Sequence, residues 1–129
     1  MRVALIQMRV TADKAANLRT ACEKIRAAKQ AGADIAVLPE MFCCPYENRC
    51  FRAYGEPEGG EVQETLSRLA AELGLYIVGG SIPELAEGNV YNTSFVYGRN
   101  GQLLARHRKV HLFDIDVEGG QSFRESDTL

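Results

Sequence analysis

Two charged residues of this sequence fall where an open α/β sheet keeps its reactive groups, just beyond the carboxyl ends of strands. Glu40 follows the apolar run Ile35-Ala36-Val37-Leu38 and Pro39, and Lys109 follows Leu103-Leu104-Ala105-Arg106-His107-Arg108. A carboxylate can take and return a proton and an ammonium can offset negative charge, but position alone names no reaction for the pair. Position alone also allows a plainer reading, because charged side chains are mostly exposed: a solvated loop carboxylate, and one more charge in a basic run. The other reactive groups are four cysteines, Cys22, Cys43, Cys44 and Cys50. Cys43 and Cys44 share a loop with Glu40, near enough to be imagined as nucleophiles, although a buried cysteine usually acts as a small hydrophobe. With Cys50, His107 and His111 they could be imagined as zinc ligands. No C-x-x-C pair occurs and both histidines flank basic residues, so no metal site is expected.

The elements that must position these residues read clearly along the chain. Residues 3–8 suit a buried strand, and residues 14–31 a helix with Leu18, Ala21, Cys22, Ile25 and Ala28 on one face. Thr11 or Asp13 can cap that helix and Gly32 can end it in a left-handed conformation. Residues 35–38 are continuously apolar, as a strand buried on both faces would be. A loop rich in aromatic residues and cysteine is expected over 41–60. It leads to an amphipathic helix over 61–73, with Val62, Leu66, Leu69, Ala70 and Leu73 on one face and Gly74 after it. Strands follow over 75–78, 90–97 and 103–108, the last two joined by Arg99-Asn100-Gly101-Gln102, where Asn-Gly marks a hairpin. After Lys109 the chain reads as loop. Strand–helix–strand–helix–strand and then a hairpin predicts an α/β layer with a mixed sheet and both helices on one face. No helix remains for the other face, so something else must cover it.

With 129 residues, 46% of them hydrophobic and 25% charged, the chain fits one soluble domain. A formal net charge of -2 gives no reason to expect nucleic acid or an anionic membrane as partner. No apolar run approaches the roughly 20 residues of a membrane helix. Met1-Arg2-Val3-Ala4-Leu5-Ile6-Gln7-Met8 is too short for a signal peptide and lacks a small-residue cleavage site, so a cytosolic location with reduced thiols is expected.

Leu38-Pro39-Glu40-Met41-Phe42 and His107-Arg108-Lys109-Val110-His111-Leu112 together resemble the glutamate and lysine motifs of the nitrilase superfamily of carbon–nitrogen hydrolases. Gly79-Gly80-Ser81-Ile82-Pro83-Glu84, Tyr91-Asn92-Thr93 and His111-Leu112-Phe113-Asp114-Ile115-Asp116-Val117 are similar to its omega-amidase branch. A lone Pro-Glu carries no signal; this ordered set, in register along the whole chain, is specific. The resemblance implies the N-terminal half of an αββα sandwich, one domain over 1–129 that is incomplete at its C-terminal end. It implies a Glu–Lys–Cys triad with Glu40 as general base and Lys109 as the stabiliser of the tetrahedral intermediate. Glu125, in Phe123-Arg124-Glu125-Ser126, matches a second glutamate that supports triad geometry and substrate positioning. The family's nucleophile lies after the lysine, in a Gly-x-x-Cys-Tyr-Asp-like context, and no cysteine follows Cys50 here.

The implied substrate is a terminal carboxamide such as 2-oxoglutaramate or 2-oxosuccinamate, hydrolysed with no metal or organic cofactor, in a complete protein expected to be a homo-oligomer. Phe42 and Tyr46 are pocket candidates that could equally be packing residues. The 129 residues alone are expected to be inactive. A reading of a different class is a non-catalytic truncated homologue that binds a partner through its bare sheet. A nucleotide site at Gly79-Gly80-Ser81 is not supported, because no phosphate-binding glycine pattern opens a helix there.

Overall fold

In the computed structural model, which describes residues 1–129, the apolar runs of the N-terminal half pair as parallel strands. β1 (Val3–Leu5), β2 (Ile35–Val37) and β3 (Tyr76–Val78) lie side by side with Ala4, Ala36 and Ile77 in register. Parallel neighbours need a long return path. α1 (Lys14–Gln30) and α3 (Glu61–Leu73) provide it. Asp13 caps α1 by accepting from the Ala16 N–H at 3.0 Å. Gly32 and Gly74 follow the two helices with φ of 86° and 59°, the left-handed turn that lets the chain leave. Leu18, Ala21, Ile25 and Ala28 of α1 and Val62, Leu66, Leu69 and Ala70 of α3 meet Ala36 and Ile77 of the sheet in one core. Both helices therefore cover the same face, as their apolar stripes predict.

β4 (Ile82–Ala86), β5 (Asn89–Tyr97) and β6 (Leu103–Arg108) complete a six-stranded mixed sheet. β5 is its pivot: β6 pairs along one edge, and β3 followed by β4 along the other. The hairpin expected between β5 and β6 is present, but only Gly101 takes a positive φ, 80°; Asn100 does not. On the face away from α1 and α3 the strands stay open. Val3 is 45% exposed, Leu5 80% and Tyr76 37%. Ile35, Val37, Val78 and Val96 are half-buried.

Three expectations give way. Residues 82–86 form β4, which a proline inside the run concealed. Pro83 is tolerated because its backbone faces the outer edge of β4, where its carbonyl accepts from Glu56 N at 3.1 Å. The 41–60 segment contains α2 (Asn48–Tyr54), a helix too short to show periodicity. The stretch after Lys109 is not plain loop. It forms a ribbon of β7 (Asp114–Asp116) and β8 (Ser122–Arg124), then a single 3-10 turn (Glu125–Asp127). Phe123 of that ribbon packs on a second cluster made by Met41, Cys44, Phe51 and Val90. No helix is long and apolar enough to cross a membrane.

Candidate active site

Glu40 is aimed by the backbone on both sides of it. Leu38 N donates to Val78 O at 3.0 Å and ends the pairing of β2. Beyond Pro39, Met41 N donates to the Ser81 hydroxyl at 3.0 Å, and Met41 itself takes a φ of 50°. That conformation is uncommon for a side chain of this size, and such residues gather at functional sites. Gly79-Gly80 makes the turn possible. At Gly80, with φ 56°, a Cβ would lie 2.1 Å from Pro39 O. This glycine pair therefore serves as a seat for the Glu40 loop.

Lys109 is held by the hairpin. Its N–H donates to Asn92 O at 2.8 Å, one bond beyond the last pair of β5 and β6. Side chains alternate along strands, so Asn92 and Lys109 share one face while Thr93 and Arg108 take the other. There, the buried Glu84 accepts from Thr93 Oγ1 and Arg108 Nε, each at 2.8 Å. Burial opposes the charged form of Glu84, but the hydrogen bonds from Arg108 and Thr93 outweigh it and lower its pKa. The Arg108 guanidinium also lies 4.0 Å over the Tyr91 ring. Residues on the far face thus lock the register that presents Asn92 and Lys109.

On the near face, Lys109 Nζ donates to Glu40 Oε1 at 2.8 Å and to Glu125 Oε2 at 3.0 Å. Asn92 Nδ2 also serves both carboxylates, Glu40 Oε1 at 2.8 Å and Glu125 Oε1 at 3.1 Å. Phe113 N donates to Glu125 Oε2 at 2.6 Å. Glu125 is fully buried, whereas the Glu40 side chain is 49% exposed. Burial works against ionised Glu125, yet the Phe113 N–H, the Asn92 amide and Lys109 together hold its carboxyl below the usual range. Burial likewise opposes charge on Lys109, and the hydrogen bonds to Glu40 and Glu125 reverse that and raise its pKa. Two carboxylates around one ammonium leave the cluster one negative charge in surplus.

Glu40, Lys109 and Asn92 line an open cleft of about 420 Å³ with Val37, Val78, Gly80, Ser81, Ser94 and His107. The cleft lies on the uncovered face of the sheet. No cysteine lines it. Cys43 belongs to the main core and Cys44 to the second cluster, and burial pushes both thiols up to about 12. Phe42, for which pocket and packing roles were both open, has no exposed surface and packs among Leu38, Ile82 and their neighbours as a core side chain. Tyr46 does reach the cluster. Its hydroxyl lies 3.4 Å from both Glu40 Oε1 and Lys109 Nζ, and its ring leans on Phe51 and Phe123. Burial and the neighbouring carboxylates push its phenol up to about 12. Asn92 and Ser81 were not assigned roles from sequence. The only signal for them is that they stand inside the Tyr91-Asn92-Thr93 and Gly79-Gly80-Ser81 stretches.

Comparison with known proteins bears on this arrangement. A sequence profile described as "Carbon-nitrogen hydrolase" matches residues 2–129. An omega-amidase of Xenopus tropicalis is 50% identical over 128 residues, 99% of this chain and 46% of that protein. The human omega-amidase is 48% identical with the same coverage. The chain thus spans about half the length of the curated relatives it matches. Among solved structures, Saccharomyces cerevisiae Nit3, a member of branch 10 of the nitrilase superfamily, superposes with a TM-score of 0.79 at 39% identity. That match covers 85% of this chain and 44% of Nit3. The Caenorhabditis elegans NitFhit protein, at 23% identity and a TM-score of 0.75 over 96% of this chain and 31% of that one, shares the fold.

Proposed function

This chain belongs to the carbon–nitrogen hydrolase family, and from that premise we propose that it supplies the base and the oxyanion stabiliser of an omega-amidase-type site. The substrate class is a terminal carboxamide on a short 2-oxo dicarboxylate skeleton, 2-oxoglutaramate or 2-oxosuccinamate. The products are the dicarboxylate and ammonia. The observation that carries this reading is the contact of Lys109 Nζ with Glu40 and Glu125 across 69 and 16 positions of sequence, on the wall of an open cleft.

An amide carbon is a poor electrophile, so a thiol nucleophile divides the hydrolysis into two easier steps. Glu40 takes the thiol proton as sulfur bonds to the carbonyl carbon. The Lys109 ammonium, charged at any physiological pH, faces the oxyanion. Collapse breaks the carbon–nitrogen bond, the proton on Glu40 passes to the leaving nitrogen, and ammonia departs from a thioester. Water then gives a proton to Glu40 and attacks the thioester. The carboxylate leaves, and the thiol recovers its proton. Glu125 holds Lys109 and Asn92 in place; both of its oxygens are already taken, so the base is Glu40. No organic cofactor enters this sequence. The same reading puts the complete protein in the cytosol, as a homo-oligomer.

The thiol comes from outside the cleft walls that these residues build. The purified 129-residue chain is therefore expected to release no ammonia from 2-oxoglutaramate, while a version extended through the family's downstream cysteine is expected to turn over. Thiol-dependent turnover by the short chain would transfer the nucleophile to Cys43, Cys44 or Cys50 and end this reading. One observation favours an alternative. The exposed Val3, Leu5 and Tyr76 could seat a partner in a non-catalytic homologue. Failure of the extended version to release ammonia, with its fold intact, would favour that reading.

A further inference from the structure

We infer that Asn92 is a positioning residue for Glu40: it occupies one carboxylate oxygen, Oε1, so that the other, Oε2, is the atom that exchanges the proton. This rests on the reading of Glu40 as general base. Three donors converge on Glu40 Oε1: Lys109 Nζ and Asn92 Nδ2 at 2.8 Å and Tyr46 Oη at 3.4 Å. None reaches Oε2. On Glu125, Asn92 fills Oε1, while Phe113 N and Lys109 fill Oε2. Of the two carboxylates beside Lys109, only Glu40 keeps an open oxygen.

Asn92 is built for this task. It is 3% exposed, it lies within β5, and its carbonyl accepts from the Lys109 N–H. Its NH₂ group has two protons to donate, one for each carboxylate, and neither titrates. It therefore joins the carboxylates without changing the charge of the cluster while a proton comes and goes. In acylation the S–H bond breaks, its proton lands on Oε2 and sulfur bonds to the carbonyl carbon. In collapse the same proton leaves Oε2 for the departing nitrogen. Without Asn92 only Lys109 and the more distant Tyr46 hold Oε1, so the Glu40 carboxylate turns more readily, and a proton on the oxygen beside Lys109 cannot be passed on.

The test uses the complete protein that carries these residues, with the variants Asn92→Ala, Asn92→Asp and Glu40→Gln. Three measurements are made on each: kcat and KM for ammonia release, alkylation of the nucleophilic thiol by iodoacetamide, and thermal midpoint. Asn92→Ala is expected to lower kcat by roughly 10–100-fold, the range for loss of a hydrogen bond to a charged group, with KM little changed. Alkylation should slow by a similar factor. Asn92→Asp, although isosteric, is expected to be worse than Asn92→Ala, because a third carboxylate competes for Lys109 and donates nothing to Glu40. A merely structural role gives the opposite order, so Asn92→Asp matching or exceeding Asn92→Ala overturns the inference. So does a loss confined to KM or to thermal midpoint. If Glu40→Gln retains turnover, the general-base reading fails and takes this inference with it. If Glu40→Gln is inactive while Asn92→Ala and Asn92→Asp keep full alkylation rates, only the role of Asn92 falls.

Discussion

Glu125 has no solvent exposure and three hydrogen-bond donors, one of them an ammonium, and it stays ionised. A carboxyl held low in the folded state stabilises the fold above its ordinary value of about 4.3 and loses that contribution as pH falls below it. Lys109, held high, contributes fully below about 10.4 and loses the benefit only as pH rises past that value. The cluster therefore favours the fold across the neutral range and weakens on the acid side first. Glu125→Gln is expected to lower the thermal midpoint at neutral pH and to flatten its fall between about pH 5 and 3. An unchanged acid slope in that variant would assign the fall to other carboxylates. At the same scale, Glu40→Gln and Lys109→Ala in the complete protein should each cost several orders of magnitude in ammonia release. Cys43→Ala should stay within a few-fold, since its thiol is buried in the core. A loss on Cys43→Ala as large as that on Glu40→Gln would reverse the assignment.

The Glu40 loop and the β3–β4 turn make one unit, joined where Gly80 meets the Pro39 carbonyl and Ser81 meets the Met41 N–H. Gly80→Ala demands both a clash and a positive φ, and is expected to cost about 3 kcal/mol or more by chemical denaturation. A cost under about 0.5 kcal/mol would mean that the two loops can part without harm. This scale also decides what could be read beforehand. Helices α1 and α3 and strands β5 and β6 announced themselves by period and by turn residues. Strand β4 was hidden by Pro83, which breaks the pattern of a strand yet sits harmlessly at an outer edge. The β7–β8 ribbon, with Asp114 and Asp116 in one strand and Arg124 in the other, lacks any apolar run and is held by tertiary contacts. Positions of Glu40, Lys109 and Glu125 were legible through their motifs. The role of Asn92 was not, because a single amide within a strand gains meaning only from the carboxylates brought to it.

At 14.2 kDa, a monomer should expose roughly 6,800 Å² by the usual scaling with mass. This chain exposes 7401 Å². Part of that surface is apolar: Val3, Leu5 and Tyr76 stand exposed on the open face of the sheet, and an exposed apolar patch of this kind favours association. The 129-residue chain is therefore expected to self-associate or to bind a hydrophobic dye. A monodisperse monomer without dye binding would contradict this. The ribbon that carries Glu125 adds a consequence in time. It is joined to the rest by the Asn48 amide on Arg124 O, the Thr128 hydroxyl on Asn48, Phe123 in the second cluster, and the Glu125 contacts themselves. On a ribosome, Glu40 and Lys109 emerge before it. Until residues 113–125 follow, the nascent chain can hold those two only as an electrically neutral pair, and the surplus negative charge of the cluster arrives with that later segment.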